Sequence, residues 1–142
     1  MALTAVSTVS QTVNTNSPVV YNTSENSNPC VISYSNGSST ITLKRAGKYL
    51  IGFTGTATTV ATAGGTVTMH LYANGTEVSG FEASQSATAD TVIMNLAQTP
   101  FMIRVNPNCC AITDNVPVSI TIQNDGTPAT FTNANITVTK LS

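Results

Sequence analysis

His70 is the only imidazole in the 142-residue chain, so acid–base or metal chemistry of the usual kind must centre on it. It lies in Val67-Thr68-Met69-His70-Leu71-Tyr72-Ala73, where apolar and polar residues alternate. That period of two makes the segment a strand and puts His70 on one face with Thr68 and Tyr72. The expected surroundings are hydroxyls rather than carboxylates. His70 is then either a half-exposed strand residue bonded to a neighbour or symmetry mate, or a ligand or metal contact. The thiols are Cys30 and the adjacent pair Cys109-Cys110. Three is an odd number and no C-x-x-C spacing occurs, which indicates neither a disulfide framework nor a zinc site. Buried thiols acting as small hydrophobes are the expectation, against a vicinal disulfide or a Cys30 bridge as alternatives. A thiolate cluster with His70 would need a threefold axis to multiply its ligands. Consecutive residues point in opposite directions, so one thiol of the pair facing the core and one facing a neighbouring subunit is simpler.

The carboxylates are Glu25, Glu77, Glu82, Asp90, Asp114 and Asp125, scattered along the chain. Asp114-Asn115 and Asn124-Asp125 offer oxygen ligands of the kind Ca²⁺ takes, although Asp and Asn in turns ordinarily bond their own backbone. Serine and threonine are abundant, but a hydroxyl nucleophile needs a base within hydrogen-bond reach, and His70 flanks no serine. No G-x-S-x-G, P-loop, G-x-G-x-x-G or H-E-x-x-H pattern is present. The expectation is a chain that is not an enzyme, with no catalytic residue, no cofactor and no metal.

Composition narrows the class further. Threonine, serine and asparagine number 25, 14 and 14, while charged residues are 8% of the chain against the usual value of roughly 25%. Five basic residues and a formal charge of −1 leave no electrostatic footprint for nucleic acid. No apolar run approaches the roughly 20 residues of a membrane-spanning helix. With 41% hydrophobic residues in short, spaced blocks, the chain can fill a core. The N-terminus has neither a basic segment nor a sustained apolar one, so folding in a cytoplasm is expected. The N-x-[ST] sequons at Asn22, Asn36, Asn74 and Asn135 are then chance products of the composition.

Six blocks alternate at period two: Ile41/Leu43, Tyr49/Ile51/Phe53, Val67/Met69/Leu71/Ala73, Phe101/Ile103/Val105, Val116/Val118/Ile120/Ile122 and Ala134/Ile136/Val138. Each sends an apolar face to a core and leaves Thr, Ser and Asn outside. Turn chemistry separates them at Asn36-Gly37, Ala63-Gly64-Gly65, Asn74-Gly75, Asn106-Pro107-Asn108 and Asn124-Asp125-Gly126, with Asn74-Gly75 the strongest hairpin signal. Strands are expected near 11–21, 29–35, 39–44, 48–57, 66–73, 76–80, 89–97, 100–105, 116–123 and 129–140. Helical patterning is almost absent. The fold class is therefore all-β: an antiparallel β-sandwich of about ten strands, with residues 1–10 as an N-terminal arm and 11–142 as one domain. A soluble monomer would usually guard such faces and edges with Lys and Glu. Charge is scarce here, as at interface centres, so the sheets are expected to pack against copies of the same chain.

Ile41-Thr42-Leu43 followed by Ala46-Gly47-Lys48-Tyr49-Leu50-Ile51-Gly52-Phe53 resembles the G-x-Y-x-I-x-F strand signature of the trimeric jelly-roll family typified by tumour necrosis factor and the complement globular head. The hairpin Leu71-Tyr72-Ala73-Asn74-Gly75 and the closing strand from Ala129 to Leu141 are similar to that family's own. The stretches 104–110, 118–122 and 131–134 look like small proteins of gut bacteria and their prophages, in particular phage head fibres or head decoration proteins. This resemblance implies a jelly roll that assembles as a homotrimer and a virion location after assembly in the host bacterial cytoplasm. It also implies capsid proteins as partners, bound through the N-terminal arm, and a host or mucus glycan as a further partner; neither nucleic acid nor membrane is expected. The alternative is a bacterial spore- or cell-surface binding module of the same fold recognising carbohydrate or protein. Against that stand the missing collagen-like Gly-X-Y tract and the missing export signal.

Overall fold

The computed structural model describes residues 1–106 and 117–141. Among the described residues, twelve strands run β1 (Ala2–Ser7), β2 (Gln11–Val13), β3 (Ser17–Pro18), β4 (Thr23–Asn26), β5 (Ile32–Ser33), β6 (Ile41–Leu43), β7 (Gly47–Thr59), β8 (Gly65–Ala73), β9 (Thr76–Ala87), β10 (Met94–Val105), β11 (Val118–Asn124) and β12 (Ala129–Lys140). Two sheets form, one in the order β10-β7-β12-β1-β4 with β2 also on β12, the other β5-β6-β11-β8-β9 with β3 also on β11. Every pairing is antiparallel. The described residues are thus all-β, as the alternation requires.

The apolar faces meet between the sheets. Tyr49, Ile51 and Phe53 of β7 and Ile136 and Val138 of β12 are buried on one side, with Met69 and Leu71 of β8 and Ile120 and Ile122 of β11 on the other. Phe53 and Phe131 meet edge to face at 6.5 Å, as do Phe81 and Phe101 at 5.9 Å across β9 and β10. The Asn74-Gly75 hairpin joins β8 to β9, with φ of 50° and 83° at the two residues, the left-handed pair that a two-residue loop between twisted strands requires.

Four expectations are corrected. Residues 1–10 are not an arm: β1 lies between β12 and β4, and Leu3 and Ala5 are fully buried. Leu3, Ala5 and Ser7 form the inward face, a signal blurred in the sequence by the apolar Val6 out of phase and the hydroxyl of Ser7 in phase. The stretch 11–21 is not one strand, because β2 joins the first sheet and β3 the second, so the chain crosses the sandwich there. The two strands expected at 89–97 and 100–105 are one, β10, with a register shift between Gln98 and Phe101 that accommodates Pro100, which has no N–H for the ladder. Cys30 is exposed rather than buried, in a turn where its N–H bonds the Asn28 side chain. Cys109 and Cys110 lie outside the described residues. β4 carries no sequence signal of a strand, because Thr23-Ser24-Glu25-Asn26 has no apolar face.

Two tyrosines test the packing with opposite signs. Among the described residues the Tyr21 hydroxyl is buried with no hydrogen-bond partner, and burial pushes its pKa far up. Tyr34, packed edge-on at 6.2 Å, has its hydroxyl 2.6 Å from the Tyr21 carbonyl and 2.7 Å from that of Ser38. Tyr21→Phe is expected to raise stability by about 1 kcal/mol, and Tyr34→Phe to lower it by about the same, measured by urea unfolding.

Candidate functional site

Among the described residues, a dense polar cluster is built on the outer face of the second sheet. In β8 the side chain of His70 points away from the core, between the buried Met69 and Leu71. Register places Glu82 of β9 opposite it on one side and Gln123 of β11 on the other. A register shift between His70 and Tyr72 draws in Glu77, the cross-strand partner of Tyr72. Asp125 follows β11 and continues its ladder, donating its N–H to the Thr68 carbonyl at 2.8 Å.

The geometry is tight. His70 Nδ1 stands 2.7 Å from Asp125 Oδ2 and 3.4 Å from Glu77 Oε1, and Nε2 stands 3.3 Å from Glu82 Oε2. The Tyr72 hydroxyl donates to Asp125 Oδ2 at 2.6 Å, and the Gln123 amide donates to Oδ1 at 2.8 Å. His70 and Asp125 are mostly covered, at 16% and 17% side-chain exposure, while Glu77 and Glu82 are half open to water at 50% and 59%.

Electrostatics follow from this arrangement. Partial burial works against a charged His70, but the hydrogen bonds to Asp125 and Glu82 and the nearby charges of Glu77 and Asp125 outweigh it, so its pKa rises above 6.5. Burial likewise opposes ionised Asp125, yet the bonds from Tyr72, His70 and Gln123 prevail and its pKa falls below 3.8. The bond to Asp125 is the main cause that pushes Tyr72 up to about 12, with burial and the nearby carboxylate charges adding to it.

A stability window results. His70 contributes fully below its unfolded pKa and loses that contribution as pH rises through its raised folded value. Asp125 contributes above its unfolded pKa and loses its share as pH falls through its lowered folded value. In metal-free buffer, Asp125→Asn is expected to drop the His70 pKa and return Tyr72 towards 10, read by NMR of the single histidine ring and by tyrosinate absorbance. An unchanged His70 titration in that variant would show that Asp125 does not control the ring.

The expectation that hydroxyls surround His70 is therefore corrected to carboxylates. Thr68, on the same face, bonds Ser84 instead. The carboxylates arrive by pairing between segments more than 50 residues apart in the case of Asp125, which no local spacing reveals. Of the other residues considered, Glu25 is exposed on β4, distant in the fold on the first sheet, and Asp90 lies beyond β9. Asp114 and Asn115 lie outside the described residues. Asn124 is buried, its amide nitrogen on the Val13 and Thr127 carbonyls and its oxygen on the Gly126 N–H, so it turns inward and offers nothing to Ca²⁺. A cleft of about 340 Å³ between β9 and β10, lined by Val78, Phe101, Ile103 and Val105 among others, carries Arg104 as its one charged residue among the described residues.

No protein-family model matches the chain, and no curated protein matches it significantly. Solved structures do. Eiger TNF from S. frugiperda superposes with a TM-score of 0.67 at 10% identity, over 100% of this chain and 92% of that one. The fold is accordingly a tumour-necrosis-factor-like jelly roll. Rabbit GITRL and PRD1 vertex protein P5 each align over 99% of this chain, covering 94% and 96% of theirs, at TM-scores of 0.49 and identities of 13% and 16%.

Proposed function

We propose that this chain is a non-enzymatic structural protein of a phage virion, a homotrimer that decorates the head or forms part of its fibre. The observation that carries the assembly is the outer face of the first sheet. Leu50, Gly52, Thr54 and Thr56 of β7 lie beside Asn135, Thr137 and Thr139 of β12, Thr4 and Val6 of β1, and Ala97 and Met102 of β10. Among the described residues, charge is confined to the margins of this sheet, with Lys48 and Arg104 as cross-strand neighbours at one end, Lys140 at the same end of β12 opposite Tyr49, and Glu25 on the edge strand β4. Met102 is 53% exposed. A broad face without charge at its centre is what a subunit interface needs and a solvated face does not.

The virion assignment rests on the sequence resemblance of stretches 104–110, 118–122 and 131–134 to prophage proteins. The non-enzymatic reading rests on the absence of a recognisable catalytic motif in the sequence. With residues 2–7 inside the sheet, attachment to a head falls to the folded surface. Trimeric display would let weak contacts with a host or mucus glycan hold by avidity.

Light scattering on the purified chain is expected to give three times the 14.7 kDa of one chain. The double variant Met102→Glu, Thr137→Arg is expected to run as a monomer with an unchanged circular dichroism spectrum, since both side chains are exposed in the single chain. A monomeric wild type would refute the assembly. Mass spectrometry of purified particles tests the location, and finding the protein on the bacterial surface instead would favour a cell-surface binding module.

A further inference from the structure

We propose that His70, Glu77 and Asp125 bind a divalent first-row transition-metal ion, with Zn²⁺ the representative, on the outer face of the second sheet. One ligand atom from each, an imidazole nitrogen and two carboxylate oxygens, lies within 4.8 Å of the others. Atoms sharing a tetrahedral ion at bonds of about 2.0–2.1 Å stand about 3.3 Å apart; the separations from Nδ1 are 2.7 and 3.4 Å, and the Glu77 and Asp125 oxygens, within 4.8 Å of each other, close on an ion by rotation of the half-exposed Glu77 side chain.

Two features make this more than a group of acids. The first is competition for one atom. A single Nδ1 proton serves one acceptor well, and Asp125 holds it at 2.7 Å, yet Glu77 is drawn to the same nitrogen with no proton of its own. An ion in place of the proton satisfies all three atoms together. The second is charge. Three carboxylates, Glu77, Glu82 and Asp125, face one imidazole, and among the described residues no lysine or arginine pairs with them. Even a protonated ring leaves the cluster negative.

The surrounding residues already occupy the positions that a metal's outer partners take. With Nδ1 on the ion, Nε2 carries the ring proton and points at Glu82, while Tyr72 and Gln123 fix the two Asp125 oxygens. A nitrogen with two oxygens suits Zn²⁺ and its first-row neighbours, whereas Ca²⁺ and Mg²⁺ take oxygen shells. Water completes the fourth position. This site lies on the opposite sheet from the proposed trimer face and does not depend on it.

The single histidine makes the test site-specific, since thiols that capture Zn²⁺ elsewhere leave its ring signals alone. Zn²⁺ titrated into the full, chelator-stripped chain is expected to shift the His70 ring resonances to saturation. Co²⁺ is expected to move them much further by its unpaired electrons. Glu77→Gln and Asp125→Asn should each weaken the apparent affinity by at least about tenfold, and Glu82→Gln by about 10–100-fold, while Glu25→Gln leaves it unchanged. Glu77 is half exposed, so its variant retains the fold even if Asp125→Asn does not. Ring signals that stay fixed under excess Zn²⁺ and Co²⁺ would overturn the proposal, as would Glu77→Gln binding like wild type.

Discussion

Removal of residues 1–8 is expected to leave the chain unable to fold. β1 pairs with β12 over six residues, Ala2↔Thr139 to Ser7↔Ala134, and with β4 over four, Leu3↔Asn26 to Val6↔Thr23. Its loss would strip β12 of one neighbour, detach β4 from the sheet, and open the core where Leu3 and Ala5 are fully buried. The graded form is Leu3→Ala, expected to cost about 2–5 kcal/mol through lost transfer energy and the cavity left behind. Urea unfolding of the point variant and near-ultraviolet circular dichroism of the truncation measure these effects. A truncation that keeps a cooperative transition would restore the reading of these residues as an arm and contradict the strand order.

Gly126→Ala is expected to cost about 2–4 kcal/mol and to release the His70 cluster at the same time. A Cβ at this position would lie 2.3 Å from the Thr66 carbonyl oxygen and 2.8 Å from the Thr68 nitrogen, backbone atoms that cannot rotate away. The flanking residues hold the ladder across that gap, with Asp125 donating to the Thr68 carbonyl and Thr127 to that of Thr66, both at 2.8 Å. Pushing the segment outward breaks these bonds and withdraws the Asp125 carboxylate from His70 and Tyr72. The variant should therefore show both a lower unfolding midpoint and a His70 pKa fallen towards 6.5. Destabilisation with an unmoved His70 titration would mean that Asp125 keeps its place by its side-chain bonds alone.

Tyr21 adds a complementary lesson about the interior. Its hydroxyl is buried without a partner while its ring fills core space beside Tyr34. The aromatic volume, not the polar tip, is what the position uses, which is why removing the oxygen should be favourable.

Much of the fold was legible in the chain because the relevant signals are local. Alternation in Val67–Ala73 and in Val118–Ile122 marks strands with one buried face, and Asn74-Gly75 specifies its hairpin through backbone conformations available to few residues. Scarcity of charge, likewise, needs no structure to be seen. Tertiary structure alone decided how these pieces align. β4 has no apolar face and exists because β1 offers it a ladder, and β1 is a strand because β12 does the same. His70, Glu82 and Gln123 stand in one row because β8 pairs with β9 on one side and β11 on the other, and Asp125 arrives by extending the second pairing. Side-chain period is a property of a few consecutive residues, whereas register is set by contacts between distant segments. The apolar faces were thus readable, and the meeting of one histidine with three carboxylates was not.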